Sequence, residues 1–229
     1  QLSRVRGILH AAKERRRFQE RWKGWFQLAD HARQLEEANT LLCEFIYGWR
    51  PPVSLTDRLD ALTEEYLLTC SPADPATLSR FLFSQKKLRG NVAKYYNPLN
   101  SNLLYVIEER RGIPISLACV MILVGARLGL HFDGCSLPGH FLARTWQGGE
   151  MVLYDCFNRG RAISGSEIAK LRAQLPVSQS DVLDEPAPPV AIIGRMLNNL
   201  IRAYELANNE PKRGETRALL AALPEIVSV

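Results

Sequence analysis

From Leu117 to Leu128 the chain is apolar on nearly every side of a helix, and this run limits the possible folds more than any other segment. Gly112-Ile113-Pro114 breaks the preceding pattern, Ser116 stands where a new helix begins, and Gly129 ends it. A helix with no polar face has to be covered all round, so the run predicts a central core helix. It does not predict a membrane span. Ile113–Leu130 is interrupted by Ser116, Gly125 and Arg127, and a crossing needs roughly 18–20 apolar residues. The 229 residues are 46% hydrophobic and 23% charged, enough for one large domain or a core domain with helical additions.

The flanks supply the covering layers. Residues from about 4 to 47 contain no proline, and Phe26, Leu28, Ala32, Leu35 and Ala38 recur at roughly helical spacing; the expectation is one long helix, stopped by Arg50-Pro51-Pro52. Ser54 or Thr56 caps a second helix to about Leu68, with Asp57 and Asp60 near its positive end. After a loop from Cys70, Pro75 or Thr77 opens a third, through Phe83. Asn100 or Ser101 caps a fourth, to about Arg111.

Beyond the core helix the texture changes. A strand is predicted from Phe132 to Leu137. A hairpin follows, His140–Thr145 and Met151–Cys156, around Trp146-Gln147-Gly148-Gly149. Four prolines among residues 176–189 read as a linker, and Val190–Ala207 with Arg213–Leu223 as a helical hairpin turning at Asn208-Asn209-Glu210-Pro211. The fold class expected is α+β: a helical N-terminal layer, a buried core helix on a small antiparallel sheet, and a C-terminal helical hairpin. The expected divisions are a basic helical extension (1–40), a core with its helical layer (41–175), the linker (176–189) and the hairpin (190–229).

Charge is concentrated at one end. Between Arg4 and Lys23 lie eight basic and two acidic residues, a balance of +6 where the whole chain carries +5. No nucleic-acid motif accompanies Arg15-Arg16-Arg17, so a solvated helix face is expected there rather than a nucleic-acid contact. Five cysteines, an odd number without CxxC spacing, argue against a disulfide framework and a zinc ribbon and for a reducing, cytoplasmic setting. The N-terminus lacks a secretory apolar stretch.

Chemistry concentrates in the predicted hairpin. If Thr145 opposes Glu150, paired positions sum to 295, Leu142 faces Leu153, and His140 faces Asp155 on the same side of the sheet. An aspartate across from a histidine fixes the ring's tautomer and leaves the other nitrogen free to act as a base. A purely structural hydrogen bond is the plain alternative.

Several motifs together resemble one family. Arg89-Gly90-Asn91, Tyr95-Tyr96-Asn97-Pro98-Leu99-Asn100-Ser101, Arg110-Arg111-Gly112-Ile113-Pro114-Ile115-Ser116-Leu117, Pro138-Gly139-His140-Phe141-Leu142 and Asp155-Cys156-Phe157-Asn158 resemble the SirB-type branch of the transglutaminase-like, cysteine-protease-fold superfamily. The resemblance covers roughly residues 40–225, and the last hairpin resembles a tetratricopeptide repeat. It implies a nucleophile at the start of the buried helix, with the histidine and aspartate at His140 and Asp155. The first of these positions holds Ser116 where the superfamily has cysteine; the resemblance to the SirB-type branch implies serine or threonine there. A serine there serves equally as a helix cap.

Two other arrangements compete with this one. Cys119 follows Ser116 on nearly the same helical face, but inside the apolar run, where a thiol is inert packing. A zinc site from Cys135, His140 and Cys156 with Asp155 would need a bulge, because strand alternation points Cys156 to the opposite face. The candidate catalytic set is Ser116, His140 and Asp155. Asn158 and Asn100 are candidate substrate contacts, and no metal or cofactor is expected. The leading expectation is a degenerate or atypical enzyme serving as a protein- or peptide-binding or regulatory module. The alternative is an acyl-transfer enzyme or peptide hydrolase using Ser116. The sequence leaves partner identity and oligomeric state open.

Overall fold

The structure is a computed structural model that describes residues 2–48, 51, 53–176 and 181–225. Arg50, Pro52 and residues 177–180 of the expected linker lie outside the described residues, as do the side chains of Arg4 and Arg6.

The first helical run is two helices. Helix α1 (Leu2–Trp22) ends before Gly24, a 3-10 turn spans Trp25–Gln27, and α2 (His31–Tyr47) starts afresh. The break has a local cause: the Asp30 carboxylate accepts the Arg33 N–H at 2.8 Å and caps α2. The expected boundary at residue 40 falls inside α2. Helix α1 is packed against its neighbours. Phe18 and Trp22 are buried, Arg21 bridges Glu37 and Glu44 of α2 at 2.8 and 2.7 Å, and the Trp22 indole donates to the Leu219 carbonyl at 3.1 Å.

Helix α3 (Leu55–Thr69) is capped by Ser54, and α4 (Pro75–Arg80) by Asp74 before widening into a π turn at Phe81–Gln85. Strand β1 (Arg89–Gly90) leads through a 3-10 turn, Pro98–Ser101, to α5 (Leu103–Glu109), which Asn102 caps in place of the expected Asn100 or Ser101. Strand β2 (Arg111–Gly112) pairs in parallel with β1. Helix α6 (Pro114–Arg127) is the expected core helix: every residue from Pro114 to Gly125 is buried, with α2, α3, α5 and α8 among its neighbours.

Strands β3 (Asp133–Cys135), β4 (Leu142–Gln147), β5 (Glu150–Asp155) and β6 (Arg161–Ile163) form an antiparallel sheet in chain order. Phe141, Ala143, Tyr154 and Cys156 belong to the core around α6, while Cys135, Leu142, Leu153 and Ile163 join a second cluster with Ile168 of α7 (Gly165–Gln174). Helices α8 (Pro189–Leu206) and α9 (Glu210–Ala221) form the C-terminal hairpin, so the α+β class stands. The described end of the expected linker is bound to the sheet: the Ala187 N–H donates to the Gly134 carbonyl at 2.8 Å, and the buried Arg144 guanidinium donates to the Leu183 carbonyl at 2.8 Å.

The hairpin register differs from expectation by two. Gln147 pairs with Glu150 and Ala143 with Tyr154, a sum of 297 rather than 295. The cause is the loop. Gly148 and Gly149 both take positive φ (58° and 85°), the backbone of a two-residue turn whose twist matches the strands, so no four-residue loop forms. A shift of two keeps every side chain on its expected face. His140, however, lies in the turn ahead of β4 and not within it.

Candidate functional site

His140 is delivered by a short turn. Pro138 and Gly139, the latter with φ 70°, reverse the chain, and the His140 N–H donates to the Leu137 carbonyl at 3.2 Å. Asp155 is the last residue of β5. The two meet, with His140 Nε2 3.0 Å from Asp155 Oδ1. The approach is an ion-pair distance without hydrogen-bond alignment, so Nε2 has no directed partner.

Asp155 is held from its other side by Asn158. The Asn158 backbone N–H donates to Oδ1 at 3.1 Å and its side-chain amide to Oδ2 at 2.7 Å. Burial alone would raise the Asp155 carboxyl, but His140 and Asn158 outweigh it and hold the group below the ordinary carboxylate value. The candidate substrate amide at Asn158 thus has its nitrogen engaged with Asp155. A depressed carboxylate contributes stability above its unfolded value of about 3.9 and loses that contribution as pH falls through its folded value. In Asn158→Ala, therefore, the Asp155 titration should move up, and the stability lost on acidification should be smaller and complete at a higher pH. Carboxyl-carbon NMR and urea midpoints across the acid range measure both, and an unchanged Asp155 titration would rule this linkage out.

Ser116 does not share this geometry. Its hydroxyl is fully buried, donates to the Ile113 carbonyl at 3.1 Å and accepts the Ile113 N–H at 3.1 Å. The helix starts at Pro114 with Ile113 as its N-cap, so Ser116 sits in the first turn and reaches back, as the third residue of a capping box does. The cleft that His140 and Asp155 help to line, about 740 Å³, is also lined by Leu137, Leu142, Ile163, Leu171 and Leu175, and Ser116 does not line it. On its rim Arg161 bonds Glu167 and, with Ser164, holds that carboxyl at about 2.

Asn100 is likewise committed to the fold. It accepts from the Asn91 amide at 2.8 Å and donates to the carbonyls of Lys94 and Tyr95 at 2.7 and 2.8 Å, stapling that loop together. The rival thiols are deep in the core. Burial pushes Cys119 up to about 12, Cys135 up to about 11 and Cys156 well above the ordinary thiol value. Cys156 lies 3.8 Å from the Met121 sulfur on the core face. Among the described residues, no three His, Cys, Asp or Glu side chains are placed to hold a metal ion.

One residue of the site was not anticipated. Arg195 on α8 donates from one guanidinium nitrogen to Ser136 Oγ and the Leu137 carbonyl, and from another to the His140 carbonyl, each at 2.8 Å. Its guanidinium also lies 5.6 Å over the Phe141 ring. The signal in the sequence was an arginine beside Ile192, Met196 and Leu197 on an otherwise apolar helix face, a position that asks for a partner.

A family model described as the transglutaminase-like superfamily matches residues 54–198. A UPF0162 protein of Xylella fastidiosa (strain 9a5c) is 38% identical over 144 residues, covering 60% of this chain and 51% of the relative. The F-box only protein 21 of Mus musculus is 34% identical over 101 residues, 41% of this chain and 16% of that protein. A UPF0162 protein of Vibrio cholerae is 29% identical over 80 residues, 34% of this chain and 30% of the relative. The match with the Xylella protein therefore spans about half of that relative's length. No solved structure matches the chain significantly.

Proposed function

This chain belongs to the transglutaminase-like superfamily, and we propose that it is a degenerate member of the SirB-type branch that binds a protein or peptide segment. The observation that carries this reading is the separation of the parts. The Ser116 hydroxyl is spent on Ile113 and does not line the cleft where His140 and Asp155 stand. A serine nucleophile needs an aligned base and an oxyanion site, and this hydroxyl already gives its proton to a backbone carbonyl. The cleft itself, with its apolar floor and a rim of Arg161, Glu167 and Lys170, suits an amphipathic segment.

A fluorophosphonate probe tests the loss of chemistry. Wild type should not be labelled, and Ser116→Ala should lose about 1 kcal/mol of stability, the ordinary cost of a lost helix-start hydrogen bond. Labelling that disappears in both Ser116→Ala and His140→Ala would establish the active acyl-transfer or hydrolase reading instead. For binding, peptides selected by display on the full chain should lose affinity in Leu171→Lys and keep it in Ser116→Ala. Selected peptides indifferent to Leu171→Lys would remove the cleft as their site.

A further inference from the structure

Another concavity, of about 530 Å³, is lined by Phe157 and Asn158 and by three arginines, Arg89, Arg111 and Arg159. Elsewhere Arg127, Arg144, Arg161, Arg172 and Arg213 each sit on a carboxylate. These three have no acidic partner among the described residues. They are also held together by the backbone. Arg89 and Arg111 are register partners in the β1–β2 ladder, an arrangement in which like charges repel. Arg159 has φ 60° and Arg110, next to Arg111, has φ 58°, a left-handed conformation that glycine or asparagine adopts at lower cost. Strain of this kind persists where the surroundings impose it and clusters at binding sites. The floor has little freedom, because a Cβ on Gly90 would sit 2.6 Å from the Phe157 ring.

We propose that Arg89, Arg111 and Arg159 form a site for a phosphoryl group, borne by free phosphate or by a phosphomonoester. A carboxylate offers two oxygens and one charge, leaving at least one guanidinium unanswered. A phosphoryl group offers three acceptor oxygens and close to two charges, and planar guanidinium forks match it bidentately. Val92, largely exposed on the wall of the same concavity, supplies apolar contact for an organic bearer.

NMR titration of the full chain with inorganic phosphate, a phosphoserine peptide and its unphosphorylated counterpart tests the proposal. Phosphate and the phosphopeptide should bind saturably, and Arg89→Gln or Arg111→Gln should each weaken binding by roughly tenfold or more, the ordinary effect of removing a charged hydrogen bond. Arg159→Gly should also weaken binding while leaving the thermal midpoint unchanged or higher, because glycine relieves the left-handed backbone; a merely structural arginine would not separate the two readouts. Arg202→Gln, which breaks the exposed pair with Glu205, should leave affinity unchanged. A phosphopeptide preferred over inorganic phosphate assigns a peptide-borne group, and equal affinity assigns the free anion. Phosphate affinity that survives all three arginine substitutions, or no saturable binding by either phosphorylated ligand, overturns the site.

Discussion

Gly160→Ala is expected to cost about 2–5 kcal/mol of folding free energy, a large share of what a domain of this size has to spare. Two independent penalties add. Gly160 has φ 66°, where an L side chain costs about 1–2 kcal/mol. Its added Cβ would also collide with the Phe83 ring and Ser79 Oγ, an overpacking cost of about 1–3 kcal/mol. The carbonyl is tied as well, accepting from Ser79 Oγ at 2.7 Å, so the loop has little room to shift. Gly129→Ala separates the terms: its φ is 72°, with nothing within 4 Å of a new Cβ, and it should cost only the backbone share, about 1–2 kcal/mol. Urea denaturation with an unchanged slope measures both. Equal losses in the two variants would show that the collision relaxes freely. The position matters because Gly160 closes the loop that begins at Asp155 and holds Asn158 beneath its carboxylate.

This dependence on Gly160 shows where sequence reading reaches its limit. A core helix announces itself by composition, and Leu117–Leu128 lies within α6 and its C-terminal cap. Faces in the hairpin were legible for a similar reason, since strand alternation fixes sides whatever the loop length. The register was not. It turned on whether Gly148-Gly149 forms the whole loop or only part of it, which is decided by backbone twist at two residues. The break between α1 and α2 was missed because apolar spacing continues across it, and only Gly24 and the cap at Asp30 mark the interruption.

The site divides along the same line. His140 and Asp155 meet, but not as the directly opposed strand residues that spacing suggested: the turn ahead of β4 brings the histidine to the end of β5. Asn100 and Asn158 were recognisable as polar residues of the family-like motifs, but not as amides whose nitrogens the fold itself engages. Their partners are a loop carbonyl pair and a carboxylate, which no local pattern specifies. Arg195 lay further from view, 55 residues along the chain from His140, and only the packing of α8 against the turn reveals what it holds.

Arg195→Met should therefore have the second large effect, on both stability and the His140–Asp155 pair. The half-buried guanidinium makes bonds to Ser136 Oγ and to the carbonyls of Leu137 and His140, and hydrogen bonds to a charged group contribute about 1.5–3 kcal/mol each before losses are shared. Methionine keeps much of the apolar stem's packing against Phe141 and removes the bonds, so a net loss of about 2–4 kcal/mol is expected. Stability alone would not distinguish positioning from general support. The distinguishing readout is the Asp155 titration, which contact with His140 helps to hold down. If Arg195 sets the turn, its loss lets His140 drift and the Asp155 carboxyl should titrate at higher pH. Asn209→Ala removes the α9 cap and destabilises the hairpin elsewhere, so it should leave that titration in place. An Asp155 titration unchanged in Arg195→Met, alongside a clear loss of stability, would reduce Arg195 to a structural tie between α8 and the sheet. A shift confined to Arg195→Met would make the C-terminal hairpin part of the site.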